Sequence, residues 1–175
     1  EAFDILSTKK NIRLIEVPSS EKEELQLHKV SGGLLVQTPD NSAETRKDCK
    51  VVTDRAPTEE EWQALEFAWK IVKHVKSNAI VLTGKDVTLG VGAGQMNRVG
   101  AADIAIAEAG EKSKGSVMSS DAFFPFGDTI EAAGKAGVTA VIQPGGSIRD
   151  QESIDMANKY GIAMVFTGHR HFRHS

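Results

Sequence analysis

The sequence predicts a three-layer αβα sandwich, a class in which helices cover both faces of a single sheet. From residue 79 onward, short apolar segments alternate with helical segments that end at glycines. Helices between consecutive strands imply right-handed crossovers and parallel pairing. Residues 79–83 and 87–91 are the exception, because only a short Gly84–Lys85 turn separates them, and they predict an antiparallel hairpin. We therefore expect a mixed, mostly parallel sheet.

Residues 1–56 are predicted to form a connecting segment with short strands. Asn11–Pro18 carries the apolar pattern of a strand and ends at a proline. Leu34–Val36 indicates a short buried strand, and residues 51–53 indicate another. The opening residues have neither a starting methionine nor a helix-capping signal. We therefore expect a part of a longer protein, and the alternative is an ordinary αβ unit.

The clearest helix lies within residues 57–76. Thr58 and Glu61 have the spacing of a capping box, and acidic residues follow Thr58 where the helix dipole favours them. One apolar face is predicted from residues three or four apart: Trp62, Leu65, Trp69, Val72 and Val75. His74 falls in the last turn, so we interpret it as a helix-end histidine.

The rest of the chain alternates strands and helices. A helix after GVGAGQ is predicted to face inward through Ala101, Ile104 and Ala105 and to end at Gly110. The remaining predicted strands are 116–119, 138–143 and 162–166, and the remaining helices are 128–135 and about 150–159.

Composition excludes several classes of function. The chain has 175 residues, 40% of them hydrophobic, with a net charge of −3 and a pI near 6.0, which argues against nucleic-acid binding. No apolar run approaches the roughly 18 residues that span a membrane. A single cysteine, Cys49, permits no internal disulfide and is predicted to be structural. We expect a soluble cytoplasmic protein.

The stretch from Ser119 to Asp150 is the most informative one. Phe123, Phe124 and Phe126 surround Pro125, a pattern that predicts a loop with aromatic side chains lining a pocket. Ligands of such sheets bind beyond the carboxyl ends of the strands. Four predicted loops meet this condition: GAGQMNR, SSDAFFPFGD, QPGGSIRD and TGHRHFRH.

Two of these loops allow two interpretations each. GVGAGQ is not a dinucleotide fingerprint, because Asn97 occupies the position of the third glycine. It fits equally a tight turn that begins a helix and an anion site that uses Arg98. QPGGSIRD is at least as well explained by a plain strand-to-helix turn as by close backbone approach to a ligand.

The histidine-rich tail is predicted to be cationic. His169, His171 and His174 are accompanied by two arginines and by no carboxylate or cysteine, so a phosphate or carboxylate is favoured over a metal. A zinc deaminase shares the αβα layout but needs His-x-Glu and Pro-Cys-x-x-Cys, and neither occurs in this sequence.

Four segments resemble a known family: KSNAIVL, GVGAGQMNRV, SSDAFFPFGDTIEAAGKAGVTAVIQPGGSIRD and GIAMVFTGHRHFRH. They are similar to the C-terminal part of the bifunctional purine biosynthesis family. That family joins an aminoimidazole carboxamide ribonucleotide (AICAR) formyltransferase to an inosine monophosphate (IMP) cyclohydrolase. The resemblance covers nearly the whole chain and implies that residues 57–175 form a C-terminal cytidine deaminase-like subdomain.

The resemblance implies formyl transfer from 10-formyltetrahydrofolate to AICAR. Asn78 matches a residue beside the transferred formyl group and the carboxamide, and Arg98 and Arg170 match positions that hold AICAR. The positions implied to contact the folate are Val99, Phe123, Gly145 and Gly146, with Asp128 as an acid near the pterin. No catalytic metal is expected, and the family's intertwined homodimers imply a homodimer here.

The chain also departs from the family pattern. The family's catalytic Lys-His pair lies in a KHANPCG-type segment, which does not occur in this sequence. Lys73-His74 lacks the residues that follow that pair, so we expect the general base to be missing and the chain to be inactive alone. His174 matches the family's terminal histidine, His169 stands at a variable position and Ser175 is unexplained. The alternative function is a non-catalytic folate- or nucleotide-binding or dimerisation module.

Overall fold

A computed structural model describes residues 1–17 and 25–173 of the chain. It divides into two compact units, an N-terminal unit of Glu1–Asn41 and a C-terminal unit of Ser42–Ser175. The functional domain boundary expected at residue 56 stays a prediction. In the part of the chain that the structure describes, no helix is long and apolar enough to cross a membrane.

The N-terminal unit contains one short helix and one hairpin. Helix α1 spans Ala2–Leu6, and strands β1 (Gln26–Val30) and β2 (Gly33–Gln37) pair antiparallel. Gly32 makes the turn with φ of +80°, a backbone conformation that glycine adopts readily. The strand predicted at Leu34–Val36 therefore exists, but its side chains are exposed and not buried. Strand β1 was not predicted.

The strand predicted at Asn11–Pro18 is wrong for the part that the structure describes. Residues 12–17 have no regular secondary structure, and Pro18 lies outside the described residues. The apolar side chains of this segment, such as Ile15 and Val17, are exposed. An alternating apolar pattern becomes a strand only when a neighbouring strand supplies hydrogen bonds, and none pairs with it among the described residues.

The C-terminal unit contains a mixed sheet of six strands in the order β3-β8-β7-β6-β4-β5, counted over its described residues. The elements in chain order are β3 (Lys50–Val51), α2 (Glu59–Val72), β4 (Ile80–Thr83), β5 (Thr88–Gly92), α3 (Arg98–Ala109), β6 (Val117–Ser120), α4 (Asp128–Ala136), β7 (Ala140–Gln143), α5 (Asp150–Tyr160) and β8 (Ala163–Phe166). The predicted alternation of strands and helices from residue 79 is confirmed.

The prediction of mostly parallel pairing is wrong. β6 and β7 pair parallel, as do β7 and β8, whereas β3–β8, β4–β6 and β4–β5 are antiparallel. The crossover through α3 does make β5 and β6 run in the same direction. However, β4 lies between them, so one parallel relationship becomes two antiparallel pairings. Strands β5 to β8 therefore all point to the same edge of the sheet.

Helices cover both faces of this sheet. Val81 and Ile142 pack with Trp62, Leu65 and the rest of the buried face of α2. The alternate strand residues, such as Leu82 and Met118, pack with α3, α4 and α5 in a second cluster. Because successive strand side chains point to opposite faces, two buried clusters on one sheet define three layers.

Capping residues and glycines close in sequence determine where helices α2 and α4 begin or end. Thr58 and Glu61 form the predicted capping box, and Gly137 ends α4 in the left-handed conformation with φ of +83°. Ile104 is a wrong prediction, since it is exposed and α3 faces inward through alanines instead. The reason is close approach: a Cβ on Gly92 would lie 1.9 Å from the Ala101 carbonyl oxygen, so only small residues fit between β5 and α3.

Candidate functional site

The loops at one sheet edge form a cavity of about 250 Å³ in the C-terminal unit. The residues that line it are Asn78, Met96, Asn97, Arg98, Ala122, Phe123, Pro125, Arg170 and Phe172. Three of the four predicted loops contribute, since β5, β6 and β8 end at this edge. Asn78 joins them because β4 runs in the opposite direction and begins there. The cavity therefore lies beyond the carboxyl ends of these strands, where ligands of such sheets bind, and the ligand itself stays a prediction.

Arg98 enters the cavity from the first turn of α3. Asn97 caps this helix by accepting a hydrogen bond from Gly100 N at 2.8 Å. The backbone after GVGAGQ therefore makes the turn that begins a helix, as one of the two interpretations predicted. The Arg98 guanidinium is nearly buried and is bonded to the Asp121 carboxylate and, at 3.3 Å, to Ser120 Oγ. A buried charge of this kind needs such a partner.

Arg170 is supported by aromatic rings. Its guanidinium lies 5.5 Å from the centroid of the Phe123 ring and 5.9 Å from that of Phe172. Among the described residues Arg170 makes no ion pair with a carboxylate. The cavity therefore presents an uncompensated cation beside two flat apolar surfaces, a combination that suits an anion joined to a planar ring.

Asn78 precedes β4 and is fixed by the loop across from it. Its Nδ2 donates to the Gln95 carbonyl at 2.7 Å, and the backbones of the two residues also bond to each other. Within the described residues, neither Oδ1 nor the second Nδ2 hydrogen has a partner. The side chain can therefore both accept and donate a hydrogen bond at the cavity wall.

Only one of the three predicted phenylalanines lines the cavity. Phe123 does so, whereas Phe124 is fully buried in the core between the sheet and α3–α5. Phe126 is exposed, and the Arg149 guanidinium lies 4.9 Å from its ring centroid. The restricted backbone before Pro125 turns consecutive side chains to different sides.

The QPGGSIRD loop does not line the cavity. A Cβ on Gly145 would lie 2.4 Å from the Phe166 ring, so this glycine allows close packing within the fold. The backbone N–H groups of Gly146 and Ser147 donate to the Asp150 carboxylate at 2.7 and 3.1 Å. The loop thus has the bonds of a plain strand-to-helix turn.

Val99 and Asp128 also lie outside the cavity lining. Val99 is half-buried in the first turn of α3. Asp128 begins α4, is exposed and accepts from Thr129 N at 2.7 Å. The structure therefore brings Asn78, Arg98, Phe123 and Arg170 together and leaves the other four predicted site residues apart from them.

Two histidines of the predicted cationic tail lie beside a carboxylate. His169 and His171 lie 3.7 and 3.6 Å from the oxygens of Glu44, and His171 is buried against the Trp69 ring. Burial raises the pKa of Glu44, but hydrogen bonds from Trp69 and Ser42 and the charge of His169 outweigh it and lower the pKa. A carboxylate therefore does accompany these histidines, and it comes from Glu44, which is far from them in sequence. His174 lies outside the described residues.

Neither Lys73 nor His74 lines the cavity. Both follow the end of α2, where Lys73 Nζ donates to the Ser42 carbonyl at 2.6 Å and His74 is exposed. Cys49 is half-buried, and burial raises the pKa of its thiol to about 11, so the thiol stays protonated at neutral pH, as expected of a structural cysteine.

Met96, Asn97, Pro125 and Phe172 line the cavity and lie in three of the predicted loops, but none of them was singled out from the sequence, and Asp121 was given no role. Asn97 was detectable, because an asparagine before an apolar helical pattern is a capping signal. Asp121 was not, because only the fold shows that its carboxylate meets a residue 23 positions earlier.

Fold and site together define an α/β domain with a cationic, aromatic-lined cavity at the edge of a mixed sheet. A model of the AICARFT/IMPCHase bienzyme family matches residues 1–108. The chain therefore belongs to the AICARFT/IMPCHase bienzyme family.

Curated relatives agree with this assignment. The bifunctional purine biosynthesis protein PurH of Lysinibacillus sphaericus is 63% identical over 99% of this chain and 35% of its own length. PurH of Shouchella clausii is 62% identical and PurH of Bacillus subtilis 59% identical, each over 99% of this chain and 34% of their own length. The chain thus spans about a third of the length of these relatives.

Two solved structures of one protein resemble the chain weakly. A structure of Acinetobacter baumannii RibD is 21% identical, with a TM-score of 0.43, and covers 62% of this chain and 34% of that one. A second form of RibD gives a TM-score of 0.41 at 21% identity, covering 58% of this chain and 32% of that one. The cytidine deaminase-like subtype of the fold therefore stays a prediction.

Proposed function

We propose that the chain is part of an AICAR formyltransferase, which transfers a formyl group from 10-formyltetrahydrofolate to AICAR in the synthesis of IMP. The observation that carries the proposal is the cavity that unites Asn78, Arg98, Phe123 and Arg170. These four residues come from separate loops, and the family resemblance had assigned each of them to the reacting ligands. The parent protein also acts as an IMP cyclohydrolase through residues outside this chain.

Charge and shape support AICAR as the ligand of the cavity. A ribonucleotide carries a phosphate that is anionic at neutral pH, and Arg170 is a cation without a carboxylate partner in the described residues. The imidazole ring is flat and fits against Phe123, a half-buried aromatic side chain. Arg98 supplies guanidinium donors from the opposite loop.

Asn78 is assigned to the reacting groups. Its free Oδ1 can accept from the AICAR amine or carboxamide, and its remaining Nδ2 hydrogen can donate to an oxygen. Formyl transfer develops negative charge on the formyl oxygen, which a fixed donor stabilises. The bond from Nδ2 to Gln95 O holds the amide in one orientation.

The chain contributes binding and orientation, and the general base comes from elsewhere in the parent protein. Lys73 and His74, the only Lys-His pair in the sequence, do not line the cavity. The volume of the cavity, about 250 Å³, is also below that of most ligand pockets, which is about 300–1,000 Å³. Both facts support a half-site, and we expect no turnover by the chain alone.

The folate is proposed to lie next to AICAR along the same sheet edge. Phe123 belongs to the cavity and would contact it, whereas Val99, Asp128, Gly145 and Gly146 would meet it only beyond the cavity. The exposed carboxylate of Asp128 suits the amino and amide groups of a pterin. No metal is assigned to the reaction, since formyl transfer between these partners needs only proton transfer.

A homodimer is the proposed assembly. In the N-terminal unit, large apolar side chains such as Phe3, Ile15 and Leu35 are exposed to at least half of their full extent. A two-stranded hairpin is marginally stable in water without a further apolar surface against it. An apolar surface of this kind is typical of a protein–protein interface. Sedimentation velocity of the parent protein tests this, and a monomer would contradict it.

The finer fold subtype and the location complete the proposal. We assign the C-terminal unit to the cytidine deaminase-like folds on the family resemblance and on its mixed six-stranded sheet, as described, between helices. A cytoplasmic location follows from the proposed pathway, whose substrates are soluble metabolites.

Calorimetric titration of the chain with AICAR tests the binding half of the proposal. The expected result is binding that Arg170→Ala weakens about 30-fold, since a charged hydrogen-bonded contact is lost. Arg46→Ala is the matched control, because Arg46 pairs with Glu59 outside the cavity. Equal loss in the two variants would overturn the assignment of Arg170.

A formyl-transfer assay decides between an enzyme half-site and a non-catalytic module. The expected result is no product from the chain alone and product from the parent protein, with loss of activity in its Asn78→Ala variant. Turnover by the chain alone would show that the base lies within it. A parent protein that binds AICAR and folate without forming product would favour the non-catalytic binding or dimerisation module.

A further inference from the structure

Asp121 is a buried polar residue behind the cavity that bonds to three separate segments of the chain. It directly follows β6 and is fully buried. Its Oδ1 accepts a hydrogen bond from Arg98 Nη1, and its Oδ2 has no hydrogen-bond partner among the described residues. Ser120 Oγ accepts from the same Arg98 nitrogen at 3.3 Å and donates to the Ala122 carbonyl at 2.7 Å. Arg98 is therefore held on one side by two oxygens.

The backbone of Asp121 holds a second cavity segment. Its carbonyl accepts from His171 N at 2.9 Å, and its own N–H donates to the Ala79 carbonyl at 3.3 Å. His171 directly follows Arg170, so this bond fixes the extended tail that carries Arg170 to the cavity. One residue thus contacts α3, the start of β4 and the tail.

We propose that Asp121 is the positioning residue for both arginines of the cavity, holding Arg98 through its carboxylate and the Arg170 segment through its carbonyl. The proposal rests on the AICAR site proposed above and adds a role for a residue outside the cavity lining. Asp121 touches neither reactant and acts only through the two arginines.

The same contacts give the two arginines different roles toward the ligand. The charge of Arg98 is neutralised by a carboxylate inside the protein, so Arg98 acts as an oriented hydrogen-bond donor. The Arg170 guanidinium lies beside the Phe123 and Phe172 rings and pairs with no carboxylate in the described part of the chain. Attraction of the ligand's negative charge, and its sensitivity to salt, therefore come from Arg170.

The first test needs no ligand. In the wild-type chain, the Arg98 guanidinium protons should give separate NMR signals that exchange slowly with water, because the group is buried and bonded. Asp121→Asn should broaden or shift these signals to free-arginine positions, while Asp103→Asn, an exposed acid on α3, should leave them unchanged. Unchanged Arg98 signals in Asp121→Asn would overturn the positioning role, whether or not AICAR binds.

The second test measures substrate kinetics in the parent protein. Asp121→Asn should raise KM for AICAR about 30-fold, while kcat and KM for 10-formyltetrahydrofolate change less than about twofold. In an Arg98→Met background the same substitution should add much less, because the residue acts through Arg98. A purely structural role would instead lower kcat with the active fraction, or add fully in both backgrounds.

A milder variant keeps the test open if Asp121→Asn does not fold. Ser120→Ala removes one neutral acceptor from Arg98 and should raise KM for AICAR about fivefold with kcat retained. No change in KM would count against the positioning of Arg98 by this oxygen pair. A wild-type parent that does not bind AICAR would refute the proposed function, while the NMR result would still decide whether Asp121 positions Arg98.

Discussion

The two compact units of this chain differ in whether their apolar side chains are buried or exposed. In the C-terminal unit, apolar side chains such as Leu82, Met118 and Phe124 are completely buried on one face of the sheet. In the N-terminal unit, Phe3, Leu35 and their apolar neighbours are exposed. A sheet covered by helices on both faces builds its own core, and a two-stranded hairpin cannot.

From this difference we infer which unit depends on the rest of the longer protein. The C-terminal unit contains the two buried clusters that cover its sheet, and it carries the cavity. The N-terminal unit keeps apolar surface that would be costly to expose in a monomer. We expect substitutions in the C-terminal unit to act on the isolated chain, and those in the N-terminal unit to act only in the assembled parent protein.

The largest expected effect is at a glycine. Gly92→Ala would place a Cβ 1.9 Å from the backbone oxygen of Ala101, which cannot move without displacing α3. We expect a loss of more than about 4 kcal/mol in the free energy of unfolding, measured by urea denaturation. Gly33→Ala in the N-terminal unit is the control, because no atom lies within 4 Å of its Cβ position. Equal stability of the two variants would contradict the packing described.

The next effect is a core truncation. Phe124→Ala removes a fully buried ring and should cost about 3–5 kcal/mol in the isolated chain. Phe3→Ala removes a ring that is 67% exposed and should change stability by less than about 0.5 kcal/mol. Chemical denaturation of both variants measures the contrast between the units. Similar losses would mean that Phe3 is buried in solution.

The ion pair between Arg55 and Glu61 should have a smaller effect on the free energy of unfolding, and this effect should depend on pH. Burial raises the pKa of Glu61, but hydrogen bonds from Arg55 and the Thr58 backbone outweigh it and lower the pKa. A lowered folded pKa stabilises the protein above the unfolded pKa of about 4.3, and this stability is lost as pH falls through the folded pKa.

Glu61→Gln should therefore cost about 2 kcal/mol at pH 7 and much less at pH 3, measured by denaturation at both pH values. Glu60→Gln, one residue earlier on the exposed side of α2, is the control and should change little at either pH. A pH-independent cost for Glu61→Gln would show that its charge does not matter.

The smallest effect in the isolated chain is expected on the hairpin. Leu35→Ser should change the stability of the isolated chain by less than about 0.5 kcal/mol, since Leu35 is exposed. In the parent protein the same substitution should weaken the dimer, which sedimentation velocity at several concentrations would measure. A dimer of unchanged strength would remove Leu35 from the interface.

Local patterns predicted the elements of the C-terminal unit well. The Thr58–Glu61 capping box, the glycine stops and the apolar strands depend on neighbours close in sequence, and these were confirmed. The insertion of β4 between β5 and β6 was not predicted, because strand order depends on contacts between distant residues. The exposed strand β2 was predicted to be buried. An apolar pattern indicates that a surface favours burial, but it does not show which part of the protein buries it.

The site was partly predictable for the same reason. The loops at the carboxyl ends of strands followed from the order of elements, and Phe123 and Arg170 do line one cavity. The buried pair of Arg98 with Asp121, and the turn of Glu44 toward the tail histidines, are contacts between segments far apart in sequence. No spacing rule along the chain reports them.

An NMR titration of the isolated chain with AICAR tests most directly whether the cavity binds the nucleotide. We expect amide and side-chain signals to shift first at Asn78, Arg98, Phe123 and Arg170, the residues that share the cavity. The signals of the N-terminal hairpin should stay in place. Shifts confined to other surfaces, or no shifts at millimolar AICAR, would contradict the assignment of this cavity as the nucleotide half-site.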